Sequence, residues 1–598
     1  MMRSHNCGEL LSTDAGKRVV LTGWVNRRRD HGGLVFIDLR DRWGMTQLVF
    51  DAAVQKRFPD VTRMRSEYVI RIEGVVRERP VGLANPKFST GTIEVSVEQV
   101  EVLSEATLPP FEIEEKKDTD ENLRLRYRYL DLRKARMQKN LMLRHQTAKA
   151  IRDYLSQREF IEIETPFLAK STPEGARDFL VPCRMNRGTF YALPQSPQLF
   201  KQILMIAGFD RYYQIVKCFR DEDLRSDRQP EFTQVDIEMS FVDQDDVICL
   251  VEGLIRECLA KVSGLLVDIP FLRLTYSEAM ARFGTDKPDL RIPLELVDLT
   301  PLTRTVRETL WNTLSSEDAL YALEVPGWKD FSRKTADELS LRARESGCGL
   351  SYIRCKDNEW GSPLKNKLDP ETWEALVHRF NGTREPVVLL VWGKISRIRE
   401  LLGNLRVQIG RDLQIAREGL AFCWVYDFPL FEWNEEENRW DSMHHPFTSP
   451  RPEDLERLRE DPGTVRTLSY DLVLNGHEIG GGSIRIHQKA VQETVFQLLR
   501  LSDDEINQKF GFFVGGLEHG CPPHGGIALG LDRLVMILAQ ESSIREVIAF
   551  PKTQKGSCLL TGAPSGIDQA QLDILGLSLN TPPEPEGPLR ASCGSSPE

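Results

Sequence analysis

The stretch KCFRDEDLRSDRQPEFTQVDIEMSF, residues 217–241, decides how the rest of the chain is read. An apolar run reaches Arg220, a polar turn follows, and a second run begins near Phe232, the pattern of a long-looped β-hairpin with a charged mouth. An arginine there suits a phosphate, because its planar fork supplies charge and directed donors together. Phe232 offers a flat aromatic face to a purine. Taken alone, such a hairpin is more often structural than catalytic, so its meaning depends on its neighbours.

Two later segments carry compatible chemistry. In SYDLVLNGHEIGGGSIRIH, residues 469–487, Asp471 and Glu478 can share a divalent cation, and the glycines let backbone approach a ligand closely. In GGIALGLDRLVMIL, residues 525–538, Gly530 precedes Asp532 and Arg533 at the start of an apolar helix, where a helix N-terminus beside a guanidinium suits a polyphosphate. His519, Cys521 and His524 mimic metal ligands, but a fourth ligand and the usual spacing are missing.

Working outward, residues 18–103 alternate apolar and polar positions in five short runs, with a helical stretch between the third and fourth and a hairpin at Gly32 and Gly33. That is the pattern of an OB-fold, a small barrel that binds single-stranded nucleic acid. We assign 1–110 to this barrel and 111–140 to a linker. The linker's end carries Arg124, Arg126, Arg128, Arg133, Lys134, Arg136 and Lys139 against Asp131, a cluster able to grip phosphates or to form a solvated face. Residues 141–291 open with a helical period and a strand ended by Pro166, and contain the hairpin. Residues 292–415 carry no chemical motif and read as an inserted domain; 416–550 resume the catalytic pattern, and 551–598 form an extension whose Pro-rich end reads as disordered.

Composition bounds these readings. A chain of 598 residues exceeds one hydrophobic core. It has no apolar run of about 18 residues that would span a membrane, and no signal-peptide core at its start. A net charge of −11 argues against indiscriminate nucleic-acid binding, so any RNA contact must be local. Eleven cysteines without CxxC pairs read as reduced thiols.

Together and in this order, the helix and strand ending at Pro166, FRDEDLRSDRQPEF and GIALGLDR resemble the signature motifs of class II aminoacyl-tRNA synthetases. ALPQSPQLFKQ, FGTDKPDLR and HHPFTSP look like the bacterial-type aspartyl branch of that family. The resemblance covers most of the chain except the interior of the insertion and the tail. It implies a multidomain protein: an OB-fold barrel for the anticodon, an α+β catalytic domain whose antiparallel sheet is flanked by helices, and an inserted α+β domain.

The resemblance further implies activation of aspartate with ATP and transfer to the 3′ end of a tRNA, by positioning and electrostatics rather than a protein nucleophile. Arg220, Glu478 and Arg533 would be catalytic. Asp221, Glu222, Gln229, Phe232, Gly530, Leu531 and Asp532 would join them around ATP, and Asp471 with Glu478 would hold Mg2+. The aspartate pocket would use Glu174, Ser196, Gln198, Lys201, Arg220, Asp236, His444, His445 and Arg485. The anticodon would meet Arg27, Arg29, His31, Phe36, Gln47 and Glu94, and His31 leaves open whether the asparagine tRNA is also charged. A homodimer through the first motif's helix is expected. The chain looks closest to vertebrate mitochondrial members, hence a processed matrix form, with a bacterial cytoplasmic one as the alternative. The rivals are an asparagine or lysine synthetase, against which Arg485 and the long insertion speak, and a non-catalytic tRNA-binding paralogue, against which Arg220, Glu478 and Arg533 speak.

Overall fold

A computed structural model describes residues 2–114, 119–172, 175–305 and 318–580, with the side chains of 303–305 left aside. Two compact units emerge: residues up to Met142 with Arg545–Ser565, and Leu143–Ile544 with the residues from Gly566 onward.

The first unit holds a closed five-stranded barrel of β1 (Arg18–His31), β2 (Leu34–Arg40), β3 (Met45–Phe50), β4 (Val69–Glu78) and β5 (Ile93–Ser104). Period-2 alternation points Val19, Leu21, Val35, Ile37, Leu39, Ile70, Ile72 and Val95 inward. Each buried side chain of this kind contributes roughly 1.5–3 kcal/mol. The outer face keeps Phe36 and Asp38 of β2 beside Gln47 of β3. A β-bulge in β1 between Val25 and Arg27 shifts the register so that Arg29 lies opposite Phe36.

The basic run after residue 123 does not grip phosphate through its central arginines. Arg128 is 2% exposed; it donates to Asp131 at 2.7 Å and to the carbonyls of Arg545, Ile548 and Ala549 at 2.8 Å. Arg124 pairs with Glu546, Arg133 with Glu67, and Lys134 lies 3.3 Å from the fully buried Asp131. A buried guanidinium is stable only when so paired, which sequence spacing could not reveal.

The second unit is built on an eight-stranded sheet, in the order Leu272–Thr275, Phe422–Tyr426, Ser469–Leu474, His477–Ile484, His524–Gly530, Glu231–Ser240, Arg211–Phe219 and Ile161–Glu162. The six inner strands pair antiparallel, and the two edge strands pair parallel to their neighbours. Flanking helices include Ala135–Ser156, Gln198–Ile206, Gln244–Ser263, Asp503–Leu517 and Leu531–Leu538. The Gln244–Ser263 helix starts on an Asp243/Asp246 capping box and stops where Gly264 takes φ +69, which glycine adopts without steric cost. A separate five-stranded sheet, with strands Leu296–Asp298, Asp318–Val325, Val387–Lys394, Gly349–Lys356 and Glu359–Gly361, has its own cores. Among the described residues no helix is long and apolar enough to cross a membrane. The tail expected from 581 onward lies outside the described residues.

Candidate active site

The hairpin forms as its alternation requires: Glu231–Ser240 pairs antiparallel with Arg211–Phe219, leaving residues 220–230 as the loop. Period 2 puts Phe232, Gln234, Asp236 and Glu238 on one strand face. At its open end lies a cavity of about 560 Å³ lined by Arg220, Asp221, Glu222, Gln229, Phe232, Gln234, Glu478, Gly480, Gly530, Asp532 and Arg533. The Arg220 guanidinium carbon stands 5.1 Å from the Phe232 ring centroid. Arg533 donates to the Glu478 carbonyl and lies 3.5 Å from Asp227. Leu531 is buried in the helix start and does not line the cavity. The Asp532 carboxylate accepts the Thr233 N–H at 2.7 Å and pairs with Arg144, so it ties this helix to the hairpin.

Farther along the same face is a fully buried ionic array. Lys201, on helix Gln198–Ile206, reaches Asp236 at 2.8 Å and Glu238 at 3.3 Å. Arg485 bonds Glu238 twice, at 2.9 and 3.1 Å, and also Ser483, His445 and the Gly526 carbonyl. Their exposures are 1% or less, so none of these charges is solvated. Burial opposes ionisation of Glu238, but Arg485 and then Lys201 outweigh it and hold the carboxyl down to about 2. For Asp236 burial prevails and raises the carboxyl. Burial and the neighbouring Arg485 charge push His445 well below its ordinary range. The ring is therefore neutral and accepts from Arg485 at Nε2 (2.8 Å), while its Nδ1 faces the Phe447 N–H at 3.2 Å.

Glu238 is the residue that sequence reasoning missed. Two carboxylates at i and i+2, alternating with the apolar Val235, Ile237 and Met239, were the available signal. Ser483, Arg144 and Gln195 were missed as well. Gln195 holds the 176–178 loop through Ala176 N at 3.1 Å, Ala176 O at 2.7 Å and Asp178 at 2.6 Å. Ser196 lines a smaller cavity of about 260 Å³ with Lys170, Asp178 and Phe512. The Gln198 amide nitrogen is buried without a hydrogen-bond partner among the described residues. Glu174 lies outside the described residues.

The two histidines part company. His444 faces Asp471 at 3.6 Å, and that charge with Glu478 raises it against the opposing effect of burial. Asp471 and Glu478 come from adjacent strands, and a bulge between Leu472 and Val473 resets the register there. The Asp471 charge, and then burial, raise the Glu478 carboxyl. Gly481 leaves the gap between them, since a Cβ there would stand 2.8 Å from Asp471 Oδ1 and 3.6 Å from Glu478 Oε1. Such a pair fits Mg2+, which ordinarily completes its shell with waters and substrate phosphates. Among the described residues no group of three or more His, Cys, Asp and Glu could hold a metal. The glycines do more than admit a ligand. Gly480 lines the cavity, whereas a Cβ at Gly526 would strike the Ile237 carbonyl at 2.0 Å and Glu238 Oε2 at 2.2 Å.

On the barrel, Arg29 donates to Asp38 at 2.6 Å and to Gln47 at 3.2 Å, Gln47 donates to Glu94 at 2.7 Å, and Arg77 closes the chain on Glu94 at 2.8 Å. Phe36 is half-buried beside this chain, while Arg27 and His31 are exposed.

Residues 120–554 match the family described as class II tRNA synthetases (D, K and N), and residues 19–103 match OB-fold nucleic acid binding domains. An aspartate–tRNA(Asp/Asn) ligase of Desulfosudis oleivorans is 50% identical over 582 residues, covering 96% of this chain and 97% of that protein. Its counterpart in Syntrophomonas wolfei is 50% identical over 583 residues, covering 97% and 100%. The asparaginyl-tRNA synthetase from Pyrococcus horikoshii complexed with asparaginyl-adenylate superposes with a TM-score of 0.58 at 19% identity, covering 92% of this chain and 99% of that one. At that identity the likeness speaks to the fold: an OB-fold barrel plus a class II catalytic sheet. Full-length relatives at half identity, with the sheet and barrel just described, lead to one conclusion: the chain belongs to the class II tRNA synthetases (D, K and N) and, within them, to the bacterial-type aspartate–tRNA ligases.

Proposed function

We propose that the site joins L-aspartate to ATP, the substrate α-carboxylate attacking the α-phosphorus to give aspartyl-adenylate and diphosphate, before the 3′ hydroxyl of tRNA(Asp) takes the aspartyl group. One observation carries this reading: the buried Lys201–Asp236–Glu238–Arg485 array continues on the strand face that begins at Phe232 in the cavity. With Glu238 fixed as an anion, the two cations leave positive charge shared only with Asp236, whose carboxyl burial raises. An incoming carboxylate satisfies that charge.

Lys201 and Arg485 then hold the aspartate side chain, oriented by Asp236 and closed over by His444 and His445, with Ser196 and Gln198 at its other end. Phe232 stacks adenine, and Asp221, Glu222, Gln229, Gly530 and Asp532 surround the nucleotide. Arg220 takes charge developing on the α-phosphate, and Arg533 takes the distal phosphates. Asp471 and Glu478 would hold Mg2+, which would offset phosphate charge when bound. On the barrel, Phe36 stacks an anticodon base, Gln47 and Glu94 read base edges, Arg27 and Arg29 meet phosphates, and His31 bears on the choice between tRNA(Asp) and tRNA(Asn).

ATP–pyrophosphate exchange tests the core of this. Aspartate alone supports exchange on this reading; asparagine or lysine doing so, or no amino acid at all, overturns it. Charging of purified tRNA(Asp) and tRNA(Asn) in parallel decides the tRNA range. The helix Ala135–Ser156 is proposed as the seam of a homodimer, and a monomeric mass by sedimentation refutes that. The mitochondrial-matrix location rests on the resemblance to mitochondrial members alone, whereas the relatives compared above are bacterial and favour a cytoplasm. Matrix import of the labelled chain separates the two.

A further inference from the structure

Arg406 sits on helix Ile395–Asp412 and is 0% exposed. That helix buries Ile398, Leu401, Leu402, Leu405 and Ile409 in the core of the five-stranded sheet. The Arg406 guanidinium turns the other way. It donates to the carbonyls of Asp289 (2.8 Å), Ile292 (2.7 Å) and Leu294 (2.5 Å), with its carbon 4.9 Å from the Phe283 centroid. Burial lowers it to about 10, so it remains charged at neutral pH. Three carbonyls in one loop are thus gathered by a single buried cation, whose desolvation cost those bonds offset.

That loop, residues 284–294, reaches the strands that carry the carboxylate pair Asp471 and Glu478. Leu290 packs with the core that contains Val473, on the strand that carries Asp471. Asp289 abuts the turn before Glu478, since a Cβ at Gly476 would lie 3.1 Å from the Asp289 Cβ. Asp289 is itself locked by Arg291 through bonds of 3.0 and 2.8 Å. Lys287 adds positive potential at Glu478, and Asp286 negative potential at His444. The helix meets the loop closely: a Cβ on Gly403 would stand 2.7 Å from the Gly284 carbonyl oxygen.

We propose that Arg406 is a positioning residue for adenylate formation: it fixes the 284–294 loop, which braces the Asn475–Gly476 turn and so sets Glu478 relative to Asp471. The 292–415 segment thereby serves the chemistry as well as the architecture. This rests on the reading of Asp471 and Glu478 as the Mg2+ ligands, and the test separates the two.

Full-length wild type, Glu478→Gln, Arg406→Gln, Arg406→Lys and Gly403→Ala are titrated with Mn2+ in the presence of a non-hydrolysable ATP analogue, free Mn2+ being followed by electron paramagnetic resonance. Aspartate affinity is measured alongside by calorimetry. Arg406→Gln and Gly403→Ala perturb the same contact, one by removing donors and one by steric displacement. Both should raise the Mn2+ midpoint at least about fivefold while aspartate affinity stays within about twofold, because the Lys201–Arg485 array is untouched. Arg406→Lys, which keeps charge and part of the donor set, recovers part of that shift. A general loss of packing would weaken aspartate as much as Mn2+, and that result overturns the proposal. So does a shift with Glu478→Gln but none in either folded Arg406→Gln or Gly403→Ala. If Glu478→Gln itself leaves the midpoint unchanged, the metal reading fails and the proposal falls with it.

Discussion

Replacing Arg485 by alanine removes five hydrogen bonds at once, two of them to Glu238. Glu238 is then left with Lys201 alone, 3.3 Å from one of its oxygens, inside a fully buried site. Breaking a buried pair from one side costs about 3–5 kcal/mol, a large share of the ~5–15 kcal/mol that holds a domain folded. Substrate binding suffers separately. A charge-assisted bond to the aspartate carboxylate contributes about 1.5–3 kcal/mol, or roughly ten- to a hundredfold in affinity. The two effects separate in the double variant Arg485→Ala/Glu238→Gln. Neutralising the orphaned carboxylate should restore most of the urea stability, while the aspartate KM in tRNA-independent pyrophosphate exchange stays elevated and the ATP KM stays near wild type. If a folded Arg485→Ala protein kept its aspartate KM within about twofold of wild type, less than half of the expected energy, the pocket assignment would be wrong.

Arg220→Ala is expected to lower the single-turnover rate of adenylate formation far more than it weakens aspartate binding, because its contact strengthens as charge develops on the α-phosphate; an unchanged rate refutes that role. Phe36→Ala with Gln47→Ala should cut tRNA charging at subsaturating tRNA about tenfold or more, from lost stacking of roughly 1–3 kcal/mol per base, yet spare tRNA-independent exchange. Equal losses in both assays would instead indicate misfolding. His445 has a folded pKa well below its unfolded value, so the unfolded state binds the extra proton as pH falls below about 6.5 and stability drops with falling pH, by at most about 1.4 kcal/mol per unit. His445→Gln should flatten that slope in urea melts between pH 6.5 and 5; an identical slope would mean that the ring is protonated in the folded chain. Glu238, held down to about 2, contributes stability that is present above about 4.5 and lost as pH falls toward 2, so Glu238→Gln should shrink the difference in stability between pH 6 and pH 3.

Periodicity made the barrel, the hairpin and the helix after Gly530 legible, because a period of 2 or 3.6 is written in consecutive residues. Local signals failed where a group's partner is far away in sequence. The arginines near 128 read as a phosphate grip or a solvated face, whereas their partners are Asp131 and Glu546. Glu238 was passed over because its partners stand at 201 and 485. The glycines of 480–482 suggested ligand approach, yet part of their purpose is room for neighbouring carboxylates and carbonyls.

By itself, then, the sequence determined the element types, the order of the three motifs and the residues able to bear charge, since propensity, alternation and side-chain chemistry are local properties. Only the tertiary structure decided which charges neutralise one another and which remain for a ligand. That distinction depends on burial and on distances of a few ångströms between strands far apart in the chain. In a low-dielectric interior those distances determine whether an arginine ties backbone carbonyls together, like Arg128 and Arg406, or joins a buried ionic array proposed to bind a carboxylate, like Arg485.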